Sequence, residues 1–372
     1  MGAGGYLERG RRFAVERPVE AFIVIVGVVL LVDFGWQLAS GGVTVSRTIS
    51  LLWDGLLRGL VIGLAGIGLS MTYSILNFAN FAHGDYITVG AFSGMAATYV
   101  VAGGFGAEAD IGSLVLVGSG GSVFAGGLGI NAVNTPLAVV AGLVTACLAT
   151  IAVVLAVDKA IFKPIRGAGG ISVLITSIGV AFALRYLMLF VFGSGTRGTT
   201  ATASMPQIRP YIVDGNVTFT AHDVMLVVVA GGAMLGVHLL LQRTKLGKAM
   251  RAMSDDESLA RVTGIPTERV IRATWIIGGG LTGIAGYMFV LWKGTLGFDD
   301  GWLLLLLIFA AVILGGIGSV YGAIVGGIAI GVTASTAVIW IPSSFARAAA
   351  FLVMILVLVV RPEGIFAGRS TA

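Results

Sequence analysis

Between Gly301 and Ala346 the chain carries no Asp, Glu, Lys or Arg. That stretch selects the solvent. A helix crosses the hydrocarbon core of a bilayer with roughly 20 apolar residues. The charge-free run is longer than two such crossings, and it holds GGIGSVYGAIVGG near its middle. It therefore reads as two spans joined by a glycine break. The chain belongs in a membrane, and its function is to be sought in what crosses it.

Composition extends this conclusion to the whole sequence. Hydrophobic residues make up 57% and charged residues 11%, with a mean hydropathy of +0.99, so a single anchor cannot account for it. The 372 residues have room for about ten spans with short loops, and no segment is polar enough for a sizeable soluble domain. The net charge of +5 does not point to nucleic acid, because the basic residues cluster beside span ends as orientation signals. Cys147 is the lone cysteine and sits in an apolar run, so there is no disulfide framework. The basic N-terminus precedes an apolar run too long for a cleavable signal peptide and without a small-residue cleavage site. A retained first span is expected.

Candidate spans are 20–39, 54–76, 85–102, 134–157, 171–192, 223–241, 270–292, 302–318, 320–340 and 345–361. The expected fold is an all-α polytopic transmembrane bundle with broken helices and both termini cytoplasmic. An arm at 1–19 precedes a single transmembrane domain at 20–361, which carries a cytoplasmic loop at 243–269 and is followed by a tail at 362–372. The glycine-rich stretch 103–133 reads as a loop that dips back into the membrane. Basic residues test this arrangement. Arg9, Arg11, Arg12 and Arg17 precede the first span. Lys159, Lys163 and Arg166 follow the fourth. Arg243, Lys245, Lys248, Arg251, Arg261, Arg269 and Arg272 follow the sixth, and Arg361 and Arg369 end the chain. All four clusters fall on one side, the cytoplasm, leaving Arg47, Arg197 and Arg209 scattered on the other.

There are 57 glycines, about twice the average share of near 7%. Gly318, Gly322 and Gly326 recur every fourth residue and are expected to share one helix face. Gly59 with Gly63, Gly279 with Gly283, and Gly327 with Gly331 repeat that spacing. Such spacing lets helices approach closely in lipid, and it also permits helix breaks and sliding at a gated pathway. Gly315, Gly316 and Gly318, three glycines in GGIGS, favour a break there.

The most unusual local sequence is LSMTYSILNFANFAHGDYITVGAF. Asn77, Asn80, His83 and Asp85 interrupt an apolar stretch, and polar side chains at membrane depth face protein or a water-filled path. Three readings stand open: a hydrogen-bonded break with Asp85 capping the next helix, a pathway or gate lining, and a His–Asp metal or acid–base site. The last is weakest, because His222 and His238 lie elsewhere. Asp33 and Arg185 are lone charges inside spans, and the pattern assigns them no role.

The loop RTKLGKAMRAMSDDESLARVTGIPTERV parses into two short helices. Ser254 followed by Glu257 has the spacing of a capping box, with Asp255 and Asp256 in the first turn. Ala260 lies in the second helix, Gly264 stands as its C-cap, and Pro266 prevents continuation. Thr267 is positioned to cap the following span. A capped, charged helix at a cytoplasmic face suits the transmission of force from a partner.

Four segments together, NFAHGD, GKAMRAMSDDESLARVTGIPTERV, ILGGIGSVYGAIVGG and RPEGIFAG, resemble the permease subunits of branched-chain amino-acid ABC importers. The resemblance runs from about residue 50 to the end. The chain differs from a minimal member in its longer N-terminal arm, 103–133 stretch and 193–222 loop. Related permeases carry urea, short amides or simple sugars, and NFAHGD favours the amino-acid and amide branch. The resemblance implies a pathway built by two permease subunits, the second expected to be a different chain; two ATP-binding subunits at the cytoplasmic face; and an external binding protein. Lys248, Arg251, Ser254, Asp255, Glu257, Ala260 and Gly264 fall where such permeases contact the ATPase. No GxxxxGK[ST] phosphate loop is present, so the chain is expected to be a transport subunit with no cofactor of its own, ATP being used by a partner. An ion-coupled secondary transporter would need acidic residues in broken helices, and Asp33 and Asp85 are the only candidates. A membrane enzyme would need convergent polar groups, and a channel a filter; neither is seen.

Overall fold

The computed structural model describes residues 17–103, 130–199 and 206–366. The helices are α1 (Pro18–Ser40), α2 (Val45–Leu76), α3 (His83–Ala102), α4 (Pro136–Val157), α5 (Gly170–Phe192), α6 (Ala221–Arg243), α7 (Lys245–Asp255), α8 (Glu257–Val262), α9 (Thr267–Lys293), α10 (Asp300–Gly315), α11 (Val320–Thr336) and α12 (Ala346–Val360). A π-turn at Asp158–Phe162 extends α4. Three antiparallel pairs of two-residue strands, β1 (Arg197–Gly198) with β6 (Thr295–Leu296), β2 (Gln207–Ile208) with β5 (Phe219–Thr220), and β3 (Tyr211–Ile212) with β4 (Gly215–Asn216), tie down loops. They leave the class all-α.

Among the described residues 8 helices are long and apolar enough to cross a membrane, fewer than the roughly ten expected from length and pattern. The two remaining expected spans correspond to α3 and α10. α10 has 16 residues, about 24 Å of helix, and it lies inside the protein. α3 starts with His83 and Asp85 and is likewise largely buried. A helix enclosed by protein need not match the lipid thickness or its apolarity. The arm before residue 17, most of 103–133 and the last six residues, Arg369 included, fall outside the described residues.

α2 and α9 form the centre, whereas α1 and α12 are mostly exposed. On α1, Phe22, Leu31 and Trp36 point outward. In water such a face would drive aggregation; in a bilayer it meets its own solvent. Dispersion must then hold the helices together, and glycines permit the contact. A Cβ on Gly59 of α2 would stand 2.6 Å from Ile328 Cα, and one on Gly327 of α11 2.6 Å from Gly63 Cα. The two glycine pairs read separately in the sequence are thus halves of one crossing. Gly322 and Gly326 face α10 at Gly315 and Ala311. Gly318 does not share that face. It lies in the break between α10 and α11, where Gly316 (φ 103°) and Gly318 (φ 86°) adopt left-handed backbone open chiefly to glycine. Ser319 caps α11 by accepting from Gly322 N–H at 2.9 Å.

The basic loops gather at one end. Glu268 at the start of α9 accepts from Lys163 at 2.9 Å and Arg166 at 3.0 Å, both in the α4–α5 connection. The segment after α12 reaches the same end, where Ile365 and Phe366 N–H donate to the open carbonyls of Leu314 and Gly315 at 3.0 Å. At the opposite end Asp214 accepts from Val45 N–H at 2.6 Å and Ser46 N–H at 2.9 Å, capping α2 from a distant loop. These bonds, Ser46 first, hold the Asp214 carboxyl below its ordinary range. Asp33 accepts from Trp340 Nε1 at 2.7 Å and so ties α1 to the turn before α12.

Candidate translocation and coupling site

After Leu76 the chain does not simply turn at the end that gathers the basic loops. Asn77 ends α2 in left-handed conformation (φ 53°), with its N–H on Tyr73 O at 2.8 Å. Asparagine tolerates that backbone better than most residues. Residues 78–82 then climb back along α5, where the Ser177 hydroxyl accepts from Phe81 N–H at 3.0 Å. Asn80 is fully buried, and its side-chain oxygen accepts from Ala82 N–H at 3.1 Å. α3 begins only at His83, level with the middle of α2 and α9: His83 Nε2 lies 2.9 Å from Ala65 O and 3.4 Å from Thr282 Oγ1. Because a carbonyl only accepts, Nε2 carries the proton.

Asp85 is completely buried and takes a bidentate pair from Arg185 of α5, at 3.1 Å for each bond. The guanidinium also lies over Trp302, 4.5 Å from the ring centroid. This corrects the expectation that Asp85 caps α3, since Ala82 occupies that position without a side-chain bond. Two opposite charges inside a membrane need each other, because either alone would pay full desolvation. Asn80, His83 and Asp85 are thus brought together in a packed joint. Asn77 stays exposed at its foot. Close approaches continue above it, where a Cβ on Gly84 would meet Leu305 Cβ at 2.9 Å and one on Gly90 would stand 2.5 Å from Gly283 Cα.

The segment after α6 folds as two short helices, as the sequence indicated, but with a different cap. Ser254 lies within α7, and Asp256 caps α8 by accepting from Leu259 N–H at 3.0 Å. The Ser258 hydroxyl also donates to Asp256 at 2.6 Å, and this bond, with that of Leu259, holds the carboxyl below its ordinary range. The Ser254–Glu257 box does not form because α7 continues through the serine; Glu257 instead pairs with Arg261 at 2.7 Å. Gly264 does end α8: at φ 86° its N–H meets Arg261 O at 3.1 Å, and Ile265 N–H meets Ala260 O at 3.0 Å. That is a Schellman closure. Pro266 rather than Thr267 precedes α9, with no side-chain cap.

The segment is anchored on one face and open on the other. Met250, Met253 and Ala260 are buried, and Arg251 donates to Leu241 O at the end of α6 at 2.7 Å. Lys248 and Asp255 are exposed. Leu259 and Val262, one turn apart on α8, stand 61% and 85% exposed among charges. Inside this end lies a cavity of about 380 Å³, bounded by Leu76, Phe78, Asp158, Arg166, Glu268 and Trp275. A larger one of about 660 Å³ opens at the outer end. Neither is lined by Asn80, His83 or Asp85.

The family model described as branched-chain amino acid transport system, permease component, matches residues 51–360. The chain belongs to this family. It is 25% identical over 315 residues to the high-affinity branched-chain amino acid transport system permease protein LivH of Escherichia coli (strain K12), covering 84% of this chain and 94% of that one. It is 26% identical over 324 residues to the corresponding protein BraD of Pseudomonas aeruginosa, again covering 84% and 94%. No solved structure matches the chain. The family and the membrane-length helices make this a multi-pass permease subunit of the cell membrane. Sequence reasoning about this permease missed Asp85's partner, since Arg185 lies 100 residues away. It also passed over Asp54 and Arg58, although two opposite charges one turn apart in the apolar run LLWDGLLRGLVIGL were a visible signal.

Proposed function

We propose that this permease forms the translocation pathway for branched-chain, aliphatic amino acids in an ATP-driven importer, with ATP hydrolysed by separate partner chains. Two ATP-binding subunits would sit on the cytoplasmic face, a second permease subunit would complete the pathway, and an external binding protein would deliver substrate. The observation that carries the reading is the construction of α7 and α8. Leu259 and Val262 present apolar surface to the cytoplasm on a helix capped at both ends, while Ala260 on its other face is buried and Met250 and Met253 bury the inner face of α7 beside it. A helix held this way passes a push to α6 and α9 rather than absorbing it.

The joint at residues 77–85 then acts as the pivot of the gate. α9 meets α2 at Gly278 and Gly68 beside His83, so a tilt of α9 bears directly on the layer that separates the outer and cytoplasmic cavities. Gly315, Gly316, Gly318, Gly322 and Gly326 supply a second break and close packing at α10 and α11. No chemistry on the substrate is required. Gentle extraction of the tagged chain and identification of its companions tests the reading. An ATPase and a second permease are the expected companions, and Leu259→Asp with Val262→Asp is expected to release the ATPase. A reproducibly homogeneous particle without an ATPase would overturn the proposal.

A further inference from the structure

The outer cavity of about 660 Å³ falls within the roughly 300–1,000 Å³ of small-molecule sites. Its wall is divided by chemistry. One part is aliphatic and aromatic, with Leu303, Leu307 and Phe289. The other carries charge: Asp54 and Arg58 from the same face of α2, Arg347 from α12, and the Lys293–Asp300 pair. The last two satisfy each other at 2.6 Å. Among the described residues Asp54, Arg58 and Arg347 form no ion pair, with one another or elsewhere. Arg58 is half-buried, and its guanidinium stands 5.8 Å from the centroid of the Trp292 ring. Asp54 is exposed and also lines an adjoining cavity of about 360 Å³ beneath the outer loop, with Gln207, Thr220 and His222.

Charges inside a membrane-spanning segment are costly and mark solute pathways. A neutral amide or urea could accept from a guanidinium and donate to a carboxylate, but it would neutralise none of the three charges. A zwitterion answers all three: a guanidinium fork matches a carboxylate bidentately, and a carboxylate matches an ammonium. We propose that this cavity receives a zwitterionic aliphatic amino acid, its carboxylate held by Arg58 and Arg347, its ammonium by Asp54, and its side chain against Leu303, Leu307 and Phe289. This deepens the function proposed above and rests on it.

The test uses the complete transporter in proteoliposomes, with its ATPase and binding protein, and measures uptake of radiolabelled leucine beside ATP hydrolysis. Arg58→Gln and Asp54→Asn are each expected to lower uptake by roughly tenfold, the scale of one lost charge-assisted bond, while hydrolysis stimulated by the loaded binding protein continues. Arg58→Lys is expected to recover part of the loss. A second measurement does not depend on the charged variants. In a Cys147→Ala background, Val338→Cys at the cavity wall is labelled from outside with a membrane-impermeant thiol reagent. Leucine is expected to slow labelling, and isopentylamine, which lacks the carboxylate, is expected to do so far less. Uptake by the Arg58 and Asp54 variants at the unmodified rate and half-saturation would overturn the site, as would equal protection by leucine and isopentylamine. Both results would leave the function above standing. Absence of leucine uptake by the unmodified complex would bring down both readings.

Discussion

The joint at residues 77–85 and the segment at 243–267 are built from similar parts and come to opposite ends. Each interrupts apolar helices with polar residues, and each turns on a left-handed residue, Asn77 or Gly264. In the joint the polar groups vanish into the protein: Asn80, His83 and Asp85 bond to Ala82, Ala65 and Arg185. In the segment at 243–267 they satisfy the helix ends and leave α8 with an open face. Polarity in a membrane protein therefore does not distinguish a pathway from its frame. What separates the two regions is that His83 and Asp85 are already held by Ala65 and Arg185 of other helices, whereas α8 keeps an exposed face.

The largest effect that probes this contrast is at the ion pair. Arg185→Ala leaves Asp85 buried and alone, with an expected loss of roughly 3–5 kcal/mol of stability. Thermal unfolding in detergent measures it, and an unchanged midpoint would break the claim that the joint is frame. Replacing both partners with leucine is expected to restore much of the loss. Gly264→Pro comes next and acts on the other region. Proline holds φ near −65° and has no N–H, so the Schellman closure opens. Uptake is expected to fall by about tenfold while ATP hydrolysis persists and the unfolding midpoint holds; wild-type uptake would remove the coupling role. His83→Leu removes one buried bond to Ala65 O and is expected to cost about 1 kcal/mol. A loss of transport far beyond that would show the joint working as the pivot of the gate as well as its frame. Asp256→Ala should have the smallest effect, a modest weakening of ATPase association. Its carboxyl is held low by Ser258 and Leu259, so the cap is intact above the ordinary carboxylate range and is lost only as pH falls through the lowered value. Association weakening between pH 8 and 6 would not come from this group.

Much of the fold was legible because the solvent imposes it. The charge-free run 301–346, the spacing of spans and the basic loops follow from what lipid excludes, residue by residue, and the helices they indicate are present. The two short helices of 245–262 were legible too, since Gly264 and Pro266 act on their own backbone. The cap was misplaced at Ser254 because two adjacent acidic residues offered more than one local start, and α7 ran on past the serine.

The sequence by itself determined that this is a helical membrane protein, where its helices lie and which end faces the basic loops. These properties are local sums of transfer and backbone preferences. Tertiary structure alone decided that Asp85 belongs to Arg185, that Gly59 and Gly63 mesh with Gly327 and Gly331, and that Asp54, Arg58 and Arg347 share one cavity. Each of those pairings joins residues far apart in the chain. Their energy exists only when the helices have met, and no window of sequence contains both halves.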